Sequence, residues 1–132
     1  MALTQDRNTQ MKDGELIPVP VAAAAKIFAG GIVAANATGF AVKGATATTL
    51  TYIGRAEEMV DNTSGADGAV SILVRRGKAF KFKNDADSVV QADLGKVCYI
   101  VDDETVAKTN GTGTRSAAGI VVGVDADGIW VE

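Results

Sequence analysis

Apolar positions along this chain come in short runs separated by glycine, asparagine and aspartate, a pattern of brief strands joined by tight turns rather than of a helix bundle. Glu15-Leu-Ile-Pro-Val-Pro-Val21 is apolar and β-branched, yet Pro18 and Pro20 lack amide donors. Two residues apart, they place both missing donors on the same side, which fits an edge strand or an extended crossing segment. Residues 27–35 and 39–42 flank Asn36-Ala-Thr-Gly39, a hairpin turn with Gly39 at positive φ. Residues 46–53 alternate loosely and continue through 54–60, where Ala56-Glu-Glu-Met59 fits a helical turn equally well. After the polar stretch 61–68, residues 69–74 form a strong β run. Gly77 interrupts it as a bulge or tight bend, and residues 78–83 resume it. Residues 89–95 fit a short helical turn closed by Gly95, and residues 97–101 read as a strand. A Gly/Thr loop over 109–116 precedes a last hairpin, 117–124 and 129–131, turning at Asp125-Ala-Asp-Gly128 with Gly128 left-handed. Roughly eight short strands with frequent turns predict an all-β fold, a compact β-sandwich or small β-barrel.

Residues 1–14 break the pattern. They carry Asp6, Arg7, Asn8, Gln10, Lys12 and Asp13 around isolated Leu3 and Met11, so the segment cannot bury itself. It is either a frayed terminus or an arm that orders on a neighbouring subunit. The expected organisation is therefore an extended N-terminal arm, 1–14, and a single β-rich domain, 15–132. Gly31-Ile-Val with Gly39-Phe-Ala-Val echoes Gly119-Ile-Val with Gly128-Ile-Trp-Val. Any two hairpins rich in Gly and Val do so, and no duplication is expected from it.

Composition narrows the picture. Hydrophobic residues make up 47% but aromatics only 5%, so the apolar content is mainly Ala, Val and Ile and the layers should be thin and closely packed. A net charge of −3 points neither to nucleic acid nor to an anionic membrane as a bulk partner. No apolar stretch approaches the ~20 residues needed to span a bilayer. No secretory signal is visible at the N-terminus, which makes cytoplasmic synthesis the expectation and the Asn36, Asn62 and Asn110 glycosylation triplets chance matches. Cys98, the only cysteine, lies in an apolar run and reads as a buried structural thiol.

Candidate chemistry is sparse. The chain has no histidine, which removes the commonest general base, the Ser–His and Cys–His nucleophile pairs, and the commonest transition-metal ligand. Glu57 and Glu58 are adjacent and would face opposite ways on a strand, while Asp102, Asp103 and Glu104 read as an acidic turn. The Asp125–Gly128 stretch fails as a calcium loop, because the closing glutamate would fall beyond Glu132. Gly111-Thr-Gly-Thr-Arg115 lacks the spacing of a phosphate cradle. Neither an enzyme nor a cofactor or metal site is expected. Arg75, Arg76, Lys78, Lys81 and Lys83 fall in an acid-free stretch interleaved with Phe80 and Phe82. With aromatics so scarce, Phe80 and Phe82 belong to the core and the basic side chains to an outer face suited to an acidic protein surface, not to a stacking platform for nucleic acid.

Several segments, taken in order, carry a likeness: Arg7-Asn-Thr, Gly30-Gly31 with Gly39-Phe-Ala-Val42, Tyr52-Ile-Gly-Arg-Ala-Glu-Glu58 and Asp61-Asn-Thr. It continues through Asp67-Gly-Ala-Val-Ser71, Val74-Arg-Arg-Gly77, Asp93-Leu-Gly-Lys-Val-Cys-Tyr-Ile-Val-Asp-Asp103, Ala118-Gly-Ile-Val and Asp127-Gly-Ile-Trp-Val131. Over most of its length the chain thus resembles the capsid decoration (cement) proteins of Mu-like and other tailed phages and prophages. The resemblance implies a β-rich domain on the outer capsid surface of the virion, assembled in the host cytoplasm, with the major capsid protein as partner. It also implies self-association as a homotrimer and an N-terminal arm that contacts the capsid or a neighbouring copy. Leu3, Asp6, Arg7, Asn8 and Thr9 are the expected arm contacts, with Arg75 and Arg76 as further partner-binding residues; catalytic, cofactor and metal residues are none, and neither nucleic acid nor membrane is a partner. The alternative is an exposed β-module that recognises host-surface receptors or glycans.

Overall fold

In the computed structural model, which describes residues 1–132, the alternating runs become twelve strands and a single turn of 3-10 helix at Gln91–Asp93. The strands are β1 (Leu16–Pro20), β2 (Lys26–Ile27), β3 (Ile32–Ala35), β4 (Ala41–Lys43), β5 (Thr51–Ala56) and β6 (Val60–Asp61) in the first half. The second half holds β7 (Ser71–Arg75), β8 (Phe80–Asn84), β9 (Val97–Ile100), β10 (Thr105–Ala107), β11 (Ala117–Asp125) and β12 (Gly128–Val131). The fold is all-β, and no helix is long and apolar enough to cross a membrane.

Five antiparallel strands form one sheet in the order β1-β7-β5-β3-β4. Its two edges curl toward each other until Val21, just past β1, meets Ala41 of β4 in a parallel bridge, and Ala22 N–H donates to the Ala41 carbonyl at 3.0 Å. The missing amides of Pro18 and Pro20 point away from β7 on this edge, where no ladder partner needs them. The other five strands close into a barrel, β10-β8-β12-β11-β9, whose one parallel contact is β8 with β10. A short ribbon of β2 and β6 lies beside the first sheet.

These two five-stranded units are the same barrel twice. Equating β1, β3, β4, β5 and β7 with β8, β9, β10, β11 and β12 reproduces every neighbour and every direction, including the single parallel closure. The register agrees residue by residue. Ala34↔Tyr52 and Ala35↔Ala41 in the first unit match Tyr99↔Ala117 and Ile100↔Val106 in the second. Val19↔Ile72 matches Phe82↔Ile129, and Ala56↔Val74 matches Val121↔Val131. Both units break register at the same place, between Val33 and Ala34 against β5 and between Ala117 and Ile120 against β9. Even loop bonds recur: Gly30 N–H to the Ala56 carbonyl pairs with Gly95 N–H to the Val121 carbonyl, and both glycines have φ of +83°. The duplication that the sequence did not predict is therefore present, in a different alignment from the Gly31/Gly119 echo. Gly119 corresponds to Gly54, and a Cβ on either would fall on a backbone carbonyl oxygen, of Arg75 in one unit and of Glu132 in the other.

Alternation fills each barrel. Val19, Val21, Val33, Ala41, Ala56, Ile72 and Val74 line the first, with Ile27 of β2 against them. Phe80, Phe82, Cys98, Ile100, Val106, Val121, Ile129 and Val131 line the second, and fully burying side chains of this size stabilises by about 1.5–3 kcal/mol each. Three local expectations change. Gly77, at φ +73°, does not bend one strand but hands the chain from the first barrel to the second. Gly128 is an ordinary β12 residue; it is needed for space, since a Cβ would lie 2.9 Å from the Phe82 carbonyl oxygen. Residues 57–59 form a bend between β5 and β6 instead of a helical turn.

Candidate interaction surfaces

The arm residues Leu3, Asp6, Arg7, Asn8 and Thr9 lie in a segment, residues 1–14, that is exposed throughout and contributes no strand. Leu3 is 70% exposed and Met11 99%, so neither apolar side chain is seated on the barrels. Glu15 N–H donates to the Asp13 carboxylate at 2.9 Å, fixing where the segment meets β1.

The basic stretch is less available than its sequence implies. Phe80 and Phe82 face the second core, as expected, with ring centroids 6.5 Å apart. Four of the five cations are paired with acids from distant parts of the chain: Arg75 with Glu57 at 3.2 Å, Lys78 with Glu15 at 3.4 Å, Lys81 with Asp127 at 2.9 Å and Lys83 with Glu104 at 2.7 Å. Arg55 adds a second guanidinium to Glu57, and the Arg55 hydrogen bond, more than Arg75, holds that carboxyl below its ordinary range. Arg76 alone keeps an unpaired side chain. It lies on a cleft between the two barrels together with Tyr52, Lys78, Phe80 and Glu132. Of the two partner residues expected in this stretch, the structure leaves Arg76 free and commits Arg75 to an internal contact.

Of the other acidic candidates, Glu58 and Asp103 leave their carboxylates without a hydrogen bond or ion pair, and the rest are engaged in the fold. Asp102 accepts Glu104 N–H at 2.9 Å within the β9–β10 turn, and the Asp103 carbonyl accepts Ile32 N–H at 2.8 Å from the first barrel. Asp125 accepts the Trp130 indole N–H at 2.8 Å. Asp87 collects Thr109 N–H and hydroxyl and the Arg115 guanidinium, and the Thr109 hydroxyl bond comes first in lowering its pKa. No three His, Cys, Asp or Glu side chains converge as a metal-binding group would require. Cys98 is fully buried, and burial pushes its thiol up to about 11, which keeps it protonated and unreactive at neutral pH. Burial likewise raises the Tyr52 hydroxyl, to about 12.

One surface was not among the expected site residues. On the outer wall of the second barrel, Val97 of β9 pairs with Ile120 of β11, and both stand in solvent at 42% and 39% exposure. Val122, two residues along the same strand face, is 43% exposed. The signal was legible: the run Gly119-Ile-Val-Val-Gly-Val124 is apolar at consecutive positions, which a strand with one wet face does not need. No protein-family model, curated protein or solved structure matches the chain.

Proposed function

We propose that this chain is a capsid decoration (cement) protein, which binds the major capsid protein on the outer surface of a phage head and stabilises contacts between capsid subunits. The observation that carries the reading is the ordered set of segments from Arg7-Asn-Thr to Asp127-Gly-Ile-Trp-Val131, which spans most of the chain and contains no catalytic signature. Two features support it. Charged side chains across the barrels are used to hold the fold rather than gathered around a reacting centre. Residues 1–14 leave the first barrel exposed from end to end, with Leu3, Asp6, Arg7, Asn8 and Thr9 free to meet another surface. The mechanism is adhesion: surface buried across a capsomer boundary favours the assembled shell by mass action, and many symmetric copies make modest contacts collectively strong.

The host-glycan reading requires rings presented to solvent. Of the aromatic side chains only Phe28 is exposed, and Lys26 lies over it at 5.3 Å. Cement function is tested by mixing the purified protein with undecorated capsids. Removal of residues 2–12 is expected to leave a domain with the wild-type melting curve that no longer co-sediments with capsids. Undiminished occupancy would remove the arm from the mechanism, and failure of the full chain to bind would remove the capsid itself.

A further inference from the structure

The duplicated barrels share an outer face and treat it differently. In the first barrel Ile32 and Ala34 of β3 and Tyr52 and Arg55 of β5 point away from the interior, because Val33 and Ala56 between and beside them point in. The second barrel covers this face. Ile32 and Ala34 are 0% exposed and belong to the second barrel's hydrophobic cluster, and the Arg55 guanidinium lies 4.9 Å from the Phe80 ring centroid. Polar contacts fasten the rim: Ile32 N–H to the Asp103 carbonyl at 2.8 Å, Thr46 hydroxyl to the Val101 carbonyl at 2.8 Å, and Ser116 hydroxyl to the Ala47 carbonyl at 2.7 Å.

In the second barrel the same positions are Val97, Tyr99, Ala117 and Ile120, and Val122 stands where the first has Glu57. The charged pair Arg55–Glu57 is thus replaced by two aliphatic side chains, and Val97, the counterpart of fully buried Ile32, is 42% exposed. The rim that would cover such a face also exists in duplicate. The counterparts of Phe80, Asp103, Ser116 and Ala118 in the first barrel are Ile17, Thr38, Thr51 and Ile53. Thr38 and Thr51 are exposed, and Ile17 and Ile53 are half-buried.

We propose that the Val97–Ile120–Val122 face of the second barrel docks on the Ile17–Thr38–Thr51–Ile53 rim of the first barrel of a second copy, repeating between chains the packing that joins the two barrels within one. The occupant is a second copy because this chain carries, in Ile17, Thr38, Thr51 and Ile53, the counterpart of the rim that covers the first barrel's face, with Ile17 and Ile53 half-buried on the first core, and shows the equivalent contact once. The contact joins two different patches, so a pair of copies still has one free face and one free rim, and association runs head to tail into a ring or an open chain. It deepens the cement reading, whose resemblance implies self-association, by naming the surfaces that meet; because its test uses no capsid, its failure and the failure of capsid binding are distinguishable.

Sedimentation velocity of the full-length protein, without capsids, tests it. The wild type is expected to pass from a 13.5 kDa monomer to larger species as concentration rises. Val97→Asp with Ile120→Asp should keep the wild-type circular dichroism and sediment as a monomer throughout. Thr38→Arg with Thr51→Arg, at exposed rim positions, should do the same. Mixed together, the face variant and the rim variant retain one intact contact between them, so the mixture should form a dimer of twice the monomer mass and nothing larger. A wild type that remains monomeric at every concentration overturns the proposal, as do oligomers indifferent to the face variant or a mixture that yields no dimer. Capsid co-sedimentation of the same proteins reports separately on the cement function.

Discussion

The first barrel closes around Val19, Val21, Val33, Ala41 and Val74, while the second closes around Phe80, Phe82, Cys98, Ile100 and Val106 with the same strand order and register. Position for position, Val19 has become Phe82 and Val33 has become Cys98, yet the ladders agree. Most inward positions therefore need only be apolar and of complementary volume; the exception is Val21, whose counterpart Asn84 bonds its amide to the Val89 backbone. What recurs is backbone-driven: Gly30 and Gly95 where φ is +83°, and Gly54 and Gly119 where the break in register brings another strand's carbonyl against Cα. The side chains that do repeat, Ile72 with Ile129 and Val74 with Val131, belong to β7 and β12, the last strand of each barrel in chain order. The lesson is that this barrel is specified by where it forbids a Cβ as much as by what fills it.

The largest effect should come from breaking that rule. Gly54→Val and Gly119→Val each place a branched side chain on a backbone carbonyl, and each is expected to cost about 4 kcal/mol or more in urea unfolding. Equal losses in the two barrels would support a shared constraint; tolerance of either would separate them. Core truncation sharpens the contrast instead. Phe82→Ala should cost about 3 kcal/mol, through lost transfer energy and the cavity left in the second barrel. Val19→Ala at the matching position should cost about 2 kcal/mol, because less volume is removed. Indistinguishable losses would mean that the second barrel relaxes around the missing ring.

The all-β class, the edge character of β1, the turn at Asn36–Gly39 and the last hairpin were legible because each rests on local chemistry: proline's missing donor, glycine's positive φ and period-two alternation. The duplication was not, for two physical reasons. Inward positions conserve character rather than identity, so Ala35 and Ile100 or Val19 and Phe82 carry no visible likeness. The first barrel also inserts the β6 ribbon between β5 and β7, so no single shift aligns the halves, and hairpins that are not equivalent look alike. The basic stretch misled for a related reason. Its acids, Glu57, Glu104 and Asp127, are remote in sequence and arrive only when the strands pair.

The smallest effect concerns pH, and it again divides the molecule. Arg55 holds Glu57 of the first barrel below its ordinary range, while Thr109 does so for Asp87 and Lys81 for Asp127 in the second. A carboxyl whose folded pKa is depressed contributes stability that is present above its unfolded value of ~4 and lost as pH falls through the folded one. Acid should thus lower the melting temperature a little below pH ~4. The loss is small because these groups are at the surface, and Asp87→Asn should flatten it. At the alkaline end the hydrogen bond to Glu104 raises the exposed Lys83, and burial raises Tyr52 and Cys98, both packed in the second barrel's cluster. Their stability is complete below the unfolded values of ~9 and ~10 and drains away as pH climbs toward about 11 for Cys98 and about 12 for Tyr52. Tyr52→Phe removes one of these groups while keeping the ring, so its melting curve should hold further into alkali than the wild type's. A variant that loses stability at the same alkaline pH as the wild type would mean that Tyr52 does not set the alkaline limit, which would then fall to Cys98.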